Sequence, residues 1–420
     1  MNQLNKILKN SNINNGIWLY MLQIFNTVIP LITLPYVTRV LGAKQYGDFA
    51  IALNIINYMV VMVDYGFNLS ATRKVALNKS KEGLNRLFST IIIIKQFLLL
   101  IALIILITYL YFSDYNQTQN LVFMVLFISL IGYSLQHNWL FQGLQQMKFI
   151  SIINITGRSI SILLTFLLVK GPNDLIIYGL LYSISPVIGG IMSVLLALTK
   201  FKLKFVKVHI DDLVEELRDG WYVFTTSFSS KVFGSIGITF LGIFSSSSIV
   251  GIYSAINKIP TTLLMVWQPI SQILYPISSK KMEKSFTEGL SSVKKISKYI
   301  VPIFIIVALA IAIFSESIIK LVFGNEYYIY SYWIFPLLGW MIFSIVNNFM
   351  GVQILLAAGF EREYSNAFQI SICINIFLNF VLIKLFEGNG AAIAPFLSEL
   401  ILTFILSLKI KGKFKNGGQK

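Results

Sequence analysis

The chain has 420 residues, of which 56% are hydrophobic and only 12% are charged, and its mean hydropathy is +0.73. This composition excludes an ordinary soluble protein of that length. A net charge of +16 would suggest nucleic acid in a soluble domain, but the placement of Lys and Arg described below explains most of it, and we expect no nucleic-acid partner.

Continuous apolar stretches follow one another along the whole chain, each with about the 20 residues that a helix needs to cross a bilayer. Because the stretches are continuous rather than alternating in polarity, they favour helices over a membrane barrel. The predicted spans are 15–38, 46–69, 87–112, 119–140, 150–170, 175–199, 221–244, 249–277, 298–322, 331–358, 364–385 and 389–409. The sequence therefore predicts an all-α polytopic membrane protein with about twelve transmembrane helices.

The segments between the predicted spans alternate in their content of Lys and Arg. Most of the 34 basic residues lie in the two tails and the even-numbered connections. Those in or beside the odd-numbered connections are Arg39, Lys44, Lys170, Lys320 and Lys384. Because short basic loops stay in the cytoplasm, the pattern predicts cytoplasmic N- and C-termini.

A weak internal repeat divides the chain near its middle. Tyr46-Gly47 opens the second span, and Val250-Gly251 opens the eighth; Glu82-Gly83-Leu84 recurs in the same order as Glu288-Gly289-Leu290. The repeat predicts two six-helix bundles, 1–205 and 206–420, in parallel orientation. Transporters built in this way handle their substrate between the two repeats.

Several predicted spans carry their polar side chains on one face. At about 100° per residue, Ser151, Asn154, Arg158, Ser161 and Thr165 share a face of the fifth span. The first span has such a stripe around Asn26, and the second has one that comprises Asn54, Asn57 and Asp64. Stripes on several helices indicate a hydrated interior, although hydroxyls and amides also hold membrane helices together.

Four basic residues lie inside predicted spans: Lys95, Arg158, Lys231 and Lys258. A cation at the centre of a span costs on the order of 2.5–3.5 kcal/mol, so such residues call for a functional reason. For Lys95, snorkelling to the interface is an equal alternative. A cavity lined by these cations would be net positive and would select an anionic substrate. The predicted substrate-binding residues are Arg158, Lys231, Lys258, Lys95, Asn26, Asn54, Asn57 and Asn154.

Carboxylates within the spans are fewer. Asp64 and Glu399 are the candidates for coupling to a proton or sodium ion, although Glu399 could instead pair with Lys384. The chain has no GxxxxGK[ST] loop, so it does not itself carry a P-loop ATPase. We expect no cofactor, and the sequence shows no metal-ligand cluster.

The N-terminal quarter resembles a known family. The run from Leu34 to Gly42 (LPYVTRVLG), followed by YGDFA at Tyr46–Ala50 and DYGFNLSATR at Asp64–Arg73, is similar to polysaccharide-transport flippases of the Wzx type. These proteins belong to a superfamily that also holds MATE exporters and lipid II flippases. The motif resemblance covers roughly residues 15–90, and the hydropathy fits along the whole chain.

This resemblance implies two six-helix bundles around a cation-lined central cavity in a bacterial cytoplasmic membrane. The implied substrate is an oligosaccharide repeat unit on undecaprenyl pyrophosphate, moved across the bilayer by alternating access for O-antigen or capsule-type polysaccharide. A polysaccharide polymerase and a chain-length regulator are the implied protein partners. The family's role is transport rather than catalysis.

Two other functions remain open from the sequence. A MATE-like exporter of organic cations would share the fold and the length, but it would need unpaired carboxylates rather than lysines in its cavity. A membrane-embedded transferase would need His, Asp and Glu clustered at one interface, and the two histidines, His137 and His209, lie far apart in the sequence.

Overall fold

The computed structural model describes residues 11–77 and 80–415, with side chains at 15–77 and 80–413. These residues form helices and no strand. The helices are α1 Ser11–Asp64, α2 Phe67–Leu77, α3 Lys81–Tyr111, α4 Gln117–Ser134, α5 Asn138–Gly143, α6 Met147–Leu168, α7 Leu175–Thr199, α8 Ile210–Phe244, α9 Ser247–Lys284, α10 Phe286–Ile313, α11 Ser315–Phe323, α12 Asn325–Tyr328, α13 Ile334–Asn348 and α14 Glu361–Lys415. A π-helical segment, Phe349–Leu356, extends α13. The basic residues of the outermost tails, 1–10 and 416–420, lie outside the described part.

Within the described ranges, 10 helical segments are long and apolar enough to cross a membrane. Two of them, Asn15–Leu77 with 63 residues and Glu361–Lys413 with 53, are long enough for two crossings each, because a helix rises about 1.5 Å per residue against a hydrocarbon core of about 30 Å. Each contains a break where the sequence predicts a connection between spans. The prediction of an all-α protein with about twelve spans is therefore confirmed.

The first break lies at Gly42, where α1 turns between the first two predicted spans. Gly42 has φ 77° and ψ 169°, a backbone conformation that glycine adopts without the steric cost of a Cβ. The next amide, on Ala43, donates a hydrogen bond to a carboxylate oxygen of Glu326 at 3.0 Å. The turn is therefore both permitted by its glycine and capped by an acidic side chain.

The second break lies at Glu387 in α14, between the last two predicted spans. Glu387 adopts φ 48° and ψ −122°, and its carboxylate accepts a hydrogen bond from the Ser245 hydroxyl at 3.0 Å. Asn389 follows, and its side-chain oxygen accepts from the Trp333 indole at 2.7 Å and from the Tyr332 hydroxyl at 2.9 Å. Side-chain contacts thus fix the turn that separates the two spans.

Large apolar side chains cover the outside of the long helices. Leu163 and Leu167 of α6 are 63% and 67% exposed, and Phe404 of α14 is 64% exposed. A soluble protein rarely leaves so much contiguous apolar surface in water. These faces are suited to lipid, and the chain is a multi-pass membrane protein.

Contacts between residues divide the chain into two compact units. The first unit comprises the chain up to Leu41 together with Asp48–Gly234, and the second comprises Gly42–Gly47 together with the chain from Ser235 onward. This division does not test the predicted bundles, 1–205 and 206–420, which stay a prediction.

A close helix crossing in the second unit brings together two glycines that occupy equivalent positions in the sequence repeat. A Cβ added at Gly47 would lie 1.7 Å from the carbonyl oxygen of Ser247, and one added at Gly251 would lie 2.0 Å from that of Ala43. Backbones approach this closely only where both positions lack a side chain. The glycines of the repeat are therefore required by packing.

In the first unit, α8 begins with an acidic, amphipathic segment that continues without interruption into its membrane span. Lys74 of α2 lies 2.8 Å from a carboxylate oxygen of Glu216 and 2.6 Å from one of Asp219. Arg86 of α3 lies 2.6 Å from Asp212, and its hydrogen bond holds the pKa of that carboxyl below its usual range. The acidic face of this segment thus fastens α8 to two neighbouring helices.

Candidate functional site

A polar cavity of ≈ 300 Å³ lies within the first unit. It is lined by residues from α1, α2, α3, α4, α5, α6 and α8 and from the segments that join α1 to α2 and α4 to α5. The lining residues are Val60, Val61, Val63, Asp64, Gly66, Asn68, Lys95, Tyr133, Gln136, Asn138, Asn154, Arg158 and Ser227. Lys95 and Arg158, two of the four cations inside predicted spans, therefore line the same cavity as Asp64, one of the two candidate carboxylates.

Helix α6 supplies Asn154 and Arg158, one turn apart, from its polar face. The hydroxyls of the same face are used elsewhere: Ser151 donates to the carbonyl of Trp18 at 2.7 Å, and Ser161 donates to the carbonyl of Leu181 at 2.7 Å. The hydroxyls hold α6 against α1 and α7, as expected for such groups between membrane helices. The amide and the guanidinium are left to line the cavity.

Arg158 is oriented by an amide. One of its terminal nitrogens donates a hydrogen bond to the side-chain oxygen of Asn26 in α1 at 2.8 Å. Over the described side chains, no carboxylate lies within 4.0 Å of this guanidinium. A guanidinium has five donors, so this contact leaves several N–H groups for a further acceptor.

Lys95 of α3 is neutralised by an acid. Its ammonium lies 3.1 Å from a carboxylate oxygen of Asp64, with 2% of its side chain exposed against 27% for Asp64. The other oxygen of Asp64 accepts from the amide of Asn68 at 2.8 Å. The snorkelling alternative for Lys95 is wrong, because the side chain lies buried against a counter-ion rather than reaching an interface.

The turn after α1 places Asp64 in this pair. Tyr65 and Gly66 have φ of 48° and 78°, which end the helix and send the chain into α2. A Cβ at Gly66 would come within 2.6 Å of Val223 of α8, so the position also needs glycine for packing. The acid consequently sits at a helix end that opens onto the cavity.

A second irregular segment, between α4 and α5, forms another part of the cavity. The backbone leaves the helix over Leu135–His137, and its polar groups find side-chain partners: Lys95 donates to the carbonyl of Gln136 at 3.4 Å, and the amide of His137 donates to Ser193 at 2.8 Å. Irregular backbone is tolerated at membrane depth where it is buried in protein or lines a cavity. The segment thus places Gln136 and Asn138 on the lining of the cavity.

The charges on the cavity wall do not cancel. Asp64 offsets Lys95, so Arg158 remains as one excess positive charge among amides and hydroxyls. A guanidinium grips phosphate or carboxylate oxygens with two parallel hydrogen bonds. The arrangement is therefore suited to hold an anionic, oxygen-rich group.

The other predicted site residues lie away from this wall. Asn54 is buried, and Asn57 and Lys231 lie on α1 and α8 outside the lining of the cavity. Lys258 and Glu399 belong to the second unit. Their roles in substrate binding or coupling stay predictions.

Glu399 of α14 has a polar environment of its own within the second unit. Its side chain is buried, and it accepts a hydrogen bond from the amide of Asn347. The side-chain oxygen of Asn347 in turn accepts from Thr403 at 2.7 Å. Glu399 is thus hydrogen-bonded to the side chains of Asn347 and Ser344, and the predicted pairing with Lys384 is not among the ion pairs of the described side chains.

Sequence reasoning missed Asn68, Tyr133, Gln136 and Asn138, which also line the cavity. A signal was present for two of them, because the run Gln136-His137-Asn138 interrupts an otherwise apolar stretch. The others cannot be recognised from sequence, because their orientation depends on where the chain turns.

The fold is shared with two kinds of membrane transporter. It matches an inward closed structure of the lipid II flippase MurJ with a TM-score of 0.75 and 13% identity, over 95% of this chain and 87% of that one. It matches an inward-facing multidrug resistance MATE transporter with a TM-score of 0.69 and 13% identity, over 92% of this chain and 99% of that one. At these identities the likeness shows the fold alone, and it confirms the predicted fold class.

Relatives with similar sequences extend over nearly the whole chain. A protein of Escherichia coli (strain K12), provisionally named an O-antigen transporter, is 28% identical over 94% of this chain and 96% of its own length. A protein of Haloferax volcanii, provisionally named a low-salt glycan biosynthesis flippase, is 25% identical over 93% of this chain and 82% of its own length. The family model described as polysaccharide biosynthesis protein matches residues 13–282, well over half of the chain, so the chain belongs to that family.

Proposed function

We propose that this protein is a flippase for undecaprenyl-pyrophosphate-linked oligosaccharide repeat units in O-antigen or capsule-type polysaccharide synthesis. The observation that carries the proposal is the position of Arg158, which lines a polar cavity, is held by the amide of Asn26 and supplies the excess charge of the wall. Membership of the family and the names of the relatives support the same substrate class.

The chemistry of the cavity fits the head group of such a lipid. A pyrophosphate diester carries about two negative charges, and the guanidinium of Arg158 would offset part of the cost of removing them from water. Asn154, Asn138 and Asn68 line the same cavity and offer both donors and acceptors to sugar hydroxyls. The polyprenyl tail would remain in lipid while the head group uses the cavity.

Translocation would proceed by alternating access of the cavity to the two sides of the bacterial cytoplasmic membrane. An inside-negative potential of ~100 mV would favour outward movement of the head group by about 2.3 kcal/mol per charge. Asp64 and Glu399 are the proposed coupling carboxylates if a proton or sodium ion moves in exchange. A polysaccharide polymerase and a chain-length regulator are the proposed partners at the outer side.

The cavity argues against export of organic cations. Such a substrate would need a carboxylate free to receive it, whereas Asp64 is engaged by Lys95 at 3.1 Å and by Asn68 at 2.8 Å. The excess charge of the wall is also of the wrong sign. Protection of cells from cationic drugs by this protein would reverse that assignment.

Arg158 provides the genetic test. In a strain whose surface polysaccharide depends on this gene, we expect Arg158→Ala to lower transport about 100-fold, because truncating one partner of a desolvated charge contact costs about 2–5 kcal/mol. Arg158→Lys should retain part of the activity, since the charge remains but the two-pronged grip is lost. Polysaccharide at the surface is measured against protein level in the membrane.

The control is Lys148→Ala, which removes the same charge from the first turn of α6 outside the cavity and should leave polysaccharide unchanged. Lys231 is tested in the double variant Arg158→Ala, Lys231→Ala. Normal polysaccharide in that double variant, at normal protein level, would remove the assignment of these cations to the substrate.

A further inference from the structure

The second unit contains a groove of ≈ 580 Å³, whereas the cavity lined by Arg158 belongs to the first unit. One face of α10, the end of α13 with its π-helical extension, and the last turns of α14 form its walls. The lining residues are Leu290, Val293, Lys294, Ser297, Lys298, Val301, Pro302, Val346, Phe349, Met350, Ile354, Ser407, Ile410 and Lys411. Apart from three lysines and two serines, the whole lining is apolar.

Along α10, two lysines of the groove precede the apolar lining residues that lie deepest in the span. Lys294 and Lys298 lie one turn apart in the first half of α10, and Val301 and Pro302 follow on the same face one to two turns further into the span. Lys411 lies near the C-terminal end of α14, just beyond the last predicted span, 389–409. The groove therefore has a basic mouth at the membrane surface and an apolar floor at greater depth.

The three ammonium groups are available to a ligand. All three lysines are exposed, and within 15–77 and 80–413 none has a carboxylate within 4.0 Å. Three like charges that converge on one groove repel one another, and an anion placed between them would relieve that repulsion. A soluble anion alone would leave the apolar floor uncovered.

We propose that this groove binds an anionic phospholipid from the membrane leaflet into which it opens. The phosphate lies among Lys294, Lys298 and Lys411, and an acyl chain covers Val301, Pro302, Val346, Phe349 and Met350. Basic pockets between helices at a membrane surface bind lipid head groups in this way. The proposal is independent of the transported substrate, since the site lies in the second unit and needs no sugar.

The test measures lipid contact on the intact protein in nanodiscs of phosphatidylcholine. A trace of phosphatidylglycerol with a photoactivatable acyl chain is expected to label the peptides that contain Val301–Pro302 and Phe349–Ile354. Phosphatidylcholine with the same acyl chain should label them about tenfold less, since it lacks the net charge that basic clusters recognise. Mass spectrometry of the digested protein locates and quantifies the label.

Two sets of variants define the site. Lys294→Gln, Lys298→Gln, Lys411→Gln should lower labelling by phosphatidylglycerol about tenfold. The matched control Lys280→Gln, Lys284→Gln, Lys295→Gln removes the same charge from exposed positions outside the groove and should leave labelling unchanged. Met350→Trp fills the apolar floor with all three cations intact and should displace the label from that floor.

Equal labelling by the two lipids of the wild-type protein, or equal loss in the two triple variants, would overturn the proposal. Displacement of the label by undecaprenyl phosphate but not by unlabelled phosphatidylglycerol would also overturn it, because the groove would then be a tail site for the substrate. The experiment measures lipid contact in purified protein and does not depend on transport. Failure of the flippase proposal and failure of the lipid-site proposal therefore give different results.

Discussion

Gly47→Ala is expected to destabilise the second unit by about 3 kcal/mol or more, at the upper end of the cost of overpacking. The added Cβ would overlap the carbonyl oxygen of Ser247, which is backbone and cannot move aside as a side chain would. Gly251→Ala should have a similar effect through Ala43. The measurement is the midpoint of thermal unfolding in detergent, together with the yield of folded protein from membranes.

Gly234→Ala is the matched control for both glycine variants. Gly234 lies inside α8, and a Cβ added there would have no described atom within 4 Å beyond its own helix backbone. Alanine is favoured over glycine in a helix by about 1 kcal/mol, so this variant should be neutral or slightly stabilising. If Gly47→Ala and Gly251→Ala unfold at the same temperature as Gly234→Ala, the close crossing is wrong.

Asp64→Ala is expected to cost about 3–5 kcal/mol, because it strands the ammonium of Lys95 without a counter-charge in a buried site. The reverse change, Lys95→Met, should cost less, since the carboxylate of Asp64 is 27% exposed and keeps its contact with Asn68. The double variant Asp64→Ala, Lys95→Met removes both charges and should be more stable than Asp64→Ala alone.

The double-mutant cycle reports the coupling of the pair directly. We expect the double variant to be more stable than the sum of the two single effects by about 2 kcal/mol, within the range for residues in contact. Thermal unfolding of the four proteins in one detergent supplies the numbers. Additive effects would contradict the ion pair at the cavity wall.

The membrane spans could be predicted from sequence because the cost of burying backbone and charge in hydrocarbon acts on each segment separately. Even the two breaks inside long helices were indicated, since the predicted connections 39–45 and 386–388 contain Gly42 and Glu387. The orientation of the termini stays a prediction from the distribution of Lys and Arg.

The site could be predicted only in part, because partners depend on packing between helices far apart in sequence. The face that carries Asn154 and Arg158 follows from helical periodicity within α6 alone. That Lys95 belongs to Asp64, and Arg158 to Asn26, follows from how α1, α3 and α6 pack, which periodicity does not specify. Sequence reasoning therefore did not find that Lys95 is neutralised by Asp64.

Binding of undecaprenyl pyrophosphate to the purified protein tests the central claim most directly. Affinity is measured for the wild type, Arg158→Lys, Arg158→Ala and the control Lys148→Ala in one lipid background. We predict that Arg158→Ala weakens binding about 100-fold, with Arg158→Lys intermediate and Lys148→Ala unchanged. Equal affinity of the wild type and Arg158→Ala would contradict the account.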